Sequence, residues 1–178
     1  MGFSYKISDQ QGLYYITATV AQWVDVFTRR DYADIVIGSL KHCQEKKGLC
    51  IYGWVIMSNH LHAILSCKKG FDLSNTLRDF KKYTSTQIVD AIESNTRESR
   101  KSWLLWLLKK EEDITFWQPG NHPEEITTSE FFRQKLNYIH NNPVRAGIVE
   151  KEEEYLYSSA RDFYDRKGLL SLTDIHLV

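Results

Sequence analysis

The chain has 178 residues, 42% of them apolar and 26% charged, and its 23 basic side chains balance 23 acidic ones. That length and composition suit one folded domain over residues 1–178 and exclude an intrinsically disordered chain. With no apolar run of 18 residues, no signal-sequence pattern in Met1–Lys6, and an odd set of cysteines (Cys43, Cys50, Cys67) lacking a C-x-x-C pair, the expectation is a cytoplasmic protein without membrane span, disulfide scaffold or cysteine-only zinc site.

In chain order, Leu13–Val20 is rich in β-branched and aromatic residues and predicts a strand. Residues 30–47 place Tyr32, Ile35, Ile37, Leu40 and Cys43 near helical spacing, with Gly48 as a stop. The apolar runs Leu49–Met57 and His60–Cys67, parted only by Ser58 and Asn59, predict a tight hairpin. Asp72 or Ser74 can cap a long amphipathic helix through Leu73, Leu77, Phe80, Thr84, Ile88 and Ile92, reaching about Ser94. Residues 96–113 are charged at both ends around Trp103–Leu108, an apolar stretch that suits a core or partner surface more readily than base stacking. Ile114–Gln118 predicts another strand, ending at Pro119-Gly120. Thr128 or Ser129 caps a last helix through Phe132, Leu136 and Ile139, which Asn141-Asn142-Pro143 is expected to terminate. This order predicts an α+β sandwich with helices against a mostly antiparallel sheet.

Charge is unevenly spread. Residues 68–110 hold ten basic and five acidic side chains, whereas 111–178 hold seven and thirteen. The middle of the chain is the expected electropositive face, although a charge run is commonly just a solvated helix face.

The chemistry-bearing residues begin with His60-Leu61-His62. Strand alternation sends both imidazoles to one face, with Cα atoms ~6.7 Å apart, within reach of one divalent ion; two buried, hydrogen-bonded histidines are the plain alternative. Tyr83 and Gln87, four residues apart on the long helix, share a stripe beside Arg78, Lys81 and Lys82. A cationic neighbourhood favours a phenolate and attracts phosphate, and an amide oxygen can join two imidazoles around a hard ion. Tyr138 and Asn142 repeat the spacing. Pro143 disfavours helical geometry at Asn142, however, so this second pair is expected to break apart. His122 is a further candidate to approach the ion, against an ordinary loop histidine.

Five ordered segments then carry a resemblance: Val55–His62 with its Asn59-His60-Leu61-His62 core; Lys82-Tyr83-Thr84 with Gln87; Trp117-Gln118; Tyr138–Gly147; and Tyr155–Ala160. Over about residues 3–165, leaving 166–178 as a tail, the chain resembles the REP-associated single-tyrosine transposases, IS200-like members of the HUH (His-hydrophobic-His) endonuclease superfamily. The resemblance implies a ferredoxin-like fold and ATP-independent cleavage and transfer of single-stranded or hairpin DNA, with no nucleotide cofactor. It carries over His60, His62 and Gln87 as ligands of Mg²⁺ or Mn²⁺ and Tyr83 as the nucleophile that forms a 5′-phosphotyrosine. Lys68, Lys69, Arg78, Lys81, Lys82 and Arg145 are the expected phosphate contacts, with a structural salt bridge to Glu150–Glu154 an equal alternative for Arg145. A monomer is expected, with a dimer as the alternative. Ser58 departs from the proline frequent in the family's turn, residues 96–113 match no family motif, and a hairpin-binding protein without turnover is the alternative function.

Overall fold

The computed structural model describes residues 6–110 and 113–174, save the side chain of Lys110. Strand β1 (Tyr14–Thr19) leads through a 3-10 turn at Ala21–Trp23 into helix α1 (Arg30–Lys46), then the hairpin β2 (Leu49–Ile56) and β3 (His60–Cys67). Helix α2 (Leu73–Ser94) follows, its N-terminus capped by Asp72, whose carboxylate accepts from the Asn75 N–H. Helix α3 (Lys101–Leu108), the short strands β4 (Lys109–Lys110), β5 (Asp113–Ile114) and β6 (Glu124–Glu125), and helix α4 (Ser129–Arg145) complete the elements that position the site.

The main sheet is antiparallel in the order β2-β3-β1-β6. Together with α1 and α2 this is the β-α-β-β-α-β ferredoxin-like arrangement, so the expected fold class is the observed one. Alternation divides the strands between two cores. Ile16, Ala18, Trp54, Ile56, Leu61, Ala63 and Leu65 belong to the larger one, shared with Tyr32, Val36 and Leu40 of α1 and Leu77, Phe80 and Ile88 of α2. Tyr15, Val55 and Ile64 turn to the other face, where Phe132, Leu136 and Ile139 of α4 cover them. The close seat of α4 depends on Gly53, beside an irregularity in the β2–β3 register, because a Cβ there would lie 2.5 Å from Leu136 Cδ1.

Two expectations need correction. The predicted end of the last helix at Asn141–Pro143 is passed: α4 runs to Arg145 with Pro143 inside it. The helix continues because its apolar stripe stays anchored on the sheet, and Pro143 still accepts a hydrogen bond from the Ile148 N–H at its carbonyl. The predicted strand 114–118 is not continuous either. Asp113–Ile114 pairs with Lys109–Lys110, and Trp117 forms an isolated bridge with Val20.

The segment after α4 closes the edge of β2. His140 Nε2 lies 2.9 Å from Ser159 Oγ, which accepts from the Trp54 N–H and donates to the Trp54 carbonyl. Tyr155 donates its hydroxyl proton to the Ile56 carbonyl, and Tyr157 to Asp34. The Tyr155–Ala160 segment is therefore structural.

The junction between α2 and α3 turns on one buried carboxylate. Glu98, 4% exposed, accepts from Arg29 Nε at 2.5 Å, from Arg100 Nε at 3.2 Å and its backbone N–H at 3.1 Å, and from the Tyr32 hydroxyl. Burial pushes its acid upward, but the hydrogen bonds from Arg100 and Arg29 prevail and hold it at about 2. Its folded value thus lies below its unfolded one, so its stabilisation is present above about pH 4.5 and fades as the pH falls toward 2. Glu98→Gln should cost ~2 kcal/mol in urea unfolding at pH 7. The gap between wild type and variant should shrink across that acid window.

Candidate active site

Period-two alternation along β3 sends His60 and His62 to the face of the sheet that α4 covers, while Leu61 enters the opposite core. The two imidazole centroids are 4.6 Å apart at 70°. His62 sits between Thr17 on β1 and Val55 on β2, its register partners.

Hydrogen bonds leave the same nitrogen free on each ring. Asn59 Nδ2 lies 3.1 Å from both the Trp23 carbonyl and Asp25 Oδ1, which fixes the amide orientation by its donors. Asn59 Oδ1, 2.7 Å from His60 Nδ1, can then only accept, so His60 carries its proton on Nδ1 and a lone pair on Nε2. His62 Nδ1 is engaged by the hydroxyls of Tyr15 at 2.8 Å and Thr17 at 2.9 Å, again leaving Nε2. Burial pulls both imidazoles below their ordinary value, His62 to about 3 with help from His60 and Lys135. Both rings are neutral near pH 7, the state in which imidazole ligates metal.

Tyr15 stacks on His62 at 5.4 Å but is buried, and the exposed tyrosine beside this pair is Tyr138. Its ring lies 5.5 Å from His62 and 6.4 Å from Tyr15, centroid to centroid, and it remains 41% exposed. The Arg145 guanidinium stands 5.3 Å from the Tyr138 ring centre. Because α4 continues through Pro143, half-buried Asn142 stays one helical turn beyond Tyr138. Lys135, also on α4, lies over the Tyr15 ring at 4.3 Å and pairs with Glu124 at 2.8 Å.

Tyr83 and Gln87 do not join the histidines. They line a groove of about 760 Å³ between α1 and α2, with Ile35, His42, Cys43 and Asp79, on the outer side of the helices that cover the opposite sheet face. The physical reason is plain: α2 spends its apolar stripe (Leu77, Phe80, Thr84, Ile88) on the sheet, so the stripe carrying Tyr83, 55% exposed, turns away from it. The expectation that Tyr83, Gln87, His60 and His62 form one site is therefore corrected. The same four-residue spacing marks Tyr138 in the sequence, where only the bias that Pro143 imposes on Asn142 argues against it.

The six expected phosphate contacts scatter too. Lys68 and Lys69 follow the far end of β3, some seven residues or ~23 Å from His60. Arg78 pairs with Asp79 and donates to Asn75, and Lys82 borders the α1–α2 groove. Lys81 is turned inward, donating to the carbonyls of Gln118 and Gly120 at 3.2 and 2.5 Å, and burial lowers its ammonium to about 8. Only Arg145 stands at the tyrosine of the histidine face. His122 is exposed, with φ of +42°.

Comparison with known proteins adds three findings. A family model described as "Transposase IS200 like" matches residues 10–142. A solved REP-associated tyrosine transposase bound to a REP hairpin superposes with a TM-score of 0.68, covering 99% of this chain and 96% of that one at 19% identity. A chain from Deinococcus radiodurans with a provisional transposase description covers 79% of this chain and 94% of its own at 16% identity and a TM-score of 0.49. No curated protein matches by sequence.

Lys81 is thus a strut. Lys81→Met should lower stability by ~1–2 kcal/mol through loss of its two charge-assisted hydrogen bonds, read by urea unfolding, and should speed amide exchange at residues 118–121.

Proposed function

Because the chain belongs to the IS200-like transposase family, we propose that it cleaves and rejoins single-stranded DNA flanking a hairpin, through a covalent 5′-phosphotyrosine on Tyr138. The observation that carries this reading is the seat of Tyr138 against His62, on the sheet face that presents the free Nε2 atoms of both histidines. The hairpin comes from the likeness to the transposase bound to a REP hairpin.

The donor set suits a hard divalent ion such as Mg²⁺ or Mn²⁺. Among the described residues no third His, Cys, Asp or Glu joins the pair, so a closed zinc site has no support. Two imidazoles and an amide oxygen, assigned to Asn142 rather than Gln87, would hold the ion and leave positions for substrate oxygens. Such an ion supplies Lewis-acid polarisation of the phosphate and neutralises charge that develops on it.

The chain's own groups do the rest. The Tyr138 oxygen forms the new bond to phosphorus as the bond to the 3′ oxygen breaks. The phenol's proton passes to solvent, and the departing oxygen takes up a proton to leave a free 3′-OH. The downstream fragment stays on Tyr138 by its 5′ phosphate; its direction follows the family resemblance. Attack by a 3′-OH on that phosphotyrosine restores the phenol and joins the strands without ATP. Arg145, beside the ring, is placed to bind the phosphate during both steps. The hydroxyls of buried Tyr15 and half-buried Thr17 hold His62 in orientation, as outer partners of metal-ligating histidines do.

The test uses a hairpin oligonucleotide with a single-stranded flank, 3′-labelled, incubated with Mn²⁺ and run on a denaturing gel. Wild type and Tyr83→Phe should both form the protein–DNA adduct, whereas Tyr138→Phe and His60→Ala should lose it. Arg145→Ala should slow adduct formation roughly 100-fold, in line with removal of one charged transition-state contact. An adduct persisting in Tyr138→Phe but absent from Tyr83→Phe would overturn the assignment. Tight hairpin binding without an adduct from any tyrosine would make the chain a binding protein.

A further inference from the structure

Next to the histidine pair stands an aromatic side chain with no part in the proposed chemistry. The Trp23 ring is 6.3 Å from that of His60, at 71°, and 59% of the residue is exposed. Its backbone is strained. Gln22 and Trp23 are consecutive non-glycine residues at φ of +56°, a region that bulky side chains rarely adopt.

This turn is held in the same frame as the imidazole. Trp23 donates its N–H to the Val20 carbonyl at 3.1 Å and accepts at its own carbonyl from Asn59 Nδ2 at 3.1 Å. The other atom of that amide, Oδ1, receives the His60 Nδ1 proton, so Asn59 fixes the indole-bearing turn and the ligating ring together. Asp25 extends the frame: its carboxylate accepts from Asn59, and its carbonyl accepts from Arg100 Nη1 at 2.9 Å, just before α3. Trp103 and Trp106 on α3 are also exposed, yet among the described residues their rings contact neither histidine.

A planar, apolar surface fixed at the rim of a phosphate-cleaving site matches the flat face of a nucleobase. We propose that Trp23 is a stacking platform for the base adjacent to the scissile phosphate, and that it sets the register of the single strand over His60 and His62. The inference rests on the reading of the histidine face as the DNA-cleaving site. Because every base has a π-face, stacking holds the strand without reading its sequence. Fixing one base fixes the neighbouring phosphate relative to the attacking oxygen, which makes Trp23 a positioning residue.

Abasic scanning of the single-stranded flank tests it, with DNA affinity measured in EDTA so that no turnover occurs. Trp23→Gly removes the ring while suiting the left-handed turn, and Trp23→Phe keeps an aromatic face. For wild type, one abasic position beside the cleavage point should weaken binding roughly 5- to 150-fold, the range of one base–aromatic stack. The same lesion should cost Trp23→Gly less than about twofold, while Trp23→Phe should keep most of the wild-type penalty. Equal penalties in wild type and Trp23→Gly at every position would overturn the stacking role and leave the cleavage reading intact. Absence of a covalent adduct, read separately, would remove the cleavage reading while this binding result stood.

Discussion

Strand side chains alternate, and in β3 that alternation must satisfy two demands at once. Leu61, Ala63 and Leu65 are needed in the core under α1 and α2, so His60 and His62 can only emerge on the other face. A slip of one residue would bury two imidazoles in the larger apolar core and send Leu61, Ala63 and Leu65 to the face under α4. Every other feature of the site follows from that register. Among the described helices it is α4 that packs on the face to which the histidines are sent, and it brings the exposed Tyr138 to them, while Tyr15 of β1 is buried against His62.

The frame around the histidines combines rigidity with neutrality. Asn59, Tyr15 and Thr17 occupy the inner nitrogens, and burial keeps both rings uncharged near neutral pH, with their outer nitrogens available. The same burial makes the arrangement dependent on its supports. The His140–Ser159–Trp54 connection ties α4 to β2, and Gly53 permits the close approach of Leu136. Residues far from the imidazoles in sequence thereby set where Tyr138 stands.

Much of this was legible in the sequence because it depends on local pattern. Apolar periodicity marked α1, α2, the hairpin and the start of α4, and H-x-H spacing alone implied a shared face for His60 and His62. What the pattern could not carry was which helix faces which side of the sheet. The Tyr-x-x-x-Gln and Tyr-x-x-x-Asn spacings are locally equivalent, and cations near Tyr83 favour the pair that the fold turns away from the histidines. Tertiary packing overrides the local rule about a residue preceding proline, since the Phe132–Leu136–Ile139 stripe anchors α4 on the sheet and the helix continues through Pro143. Charge counting misled in a similar way. Lys81 and Arg78 belong to a basic segment by composition, yet one bonds to backbone carbonyls and the other to Asp79. Trp23 lay outside any motif, and its left-handed turn has no glycine to announce it.

The central claim is that the face proposed to bind the ion and Tyr138 share one side of the sheet while Tyr83 lies on the other. Protein carrying 3-fluorotyrosine, with the resonances of Tyr138 and Tyr83 assigned through the corresponding phenylalanine variants, can be titrated with Mn²⁺ and followed by ¹⁹F NMR. Paramagnetic broadening falls off steeply with distance from the ion. The account predicts that substoichiometric Mn²⁺ erases the Tyr138 resonance and leaves that of Tyr83 sharp, with both unaffected in a His60→Ala, His62→Ala variant. Broadening of Tyr83 with Tyr138 left sharp would contradict it.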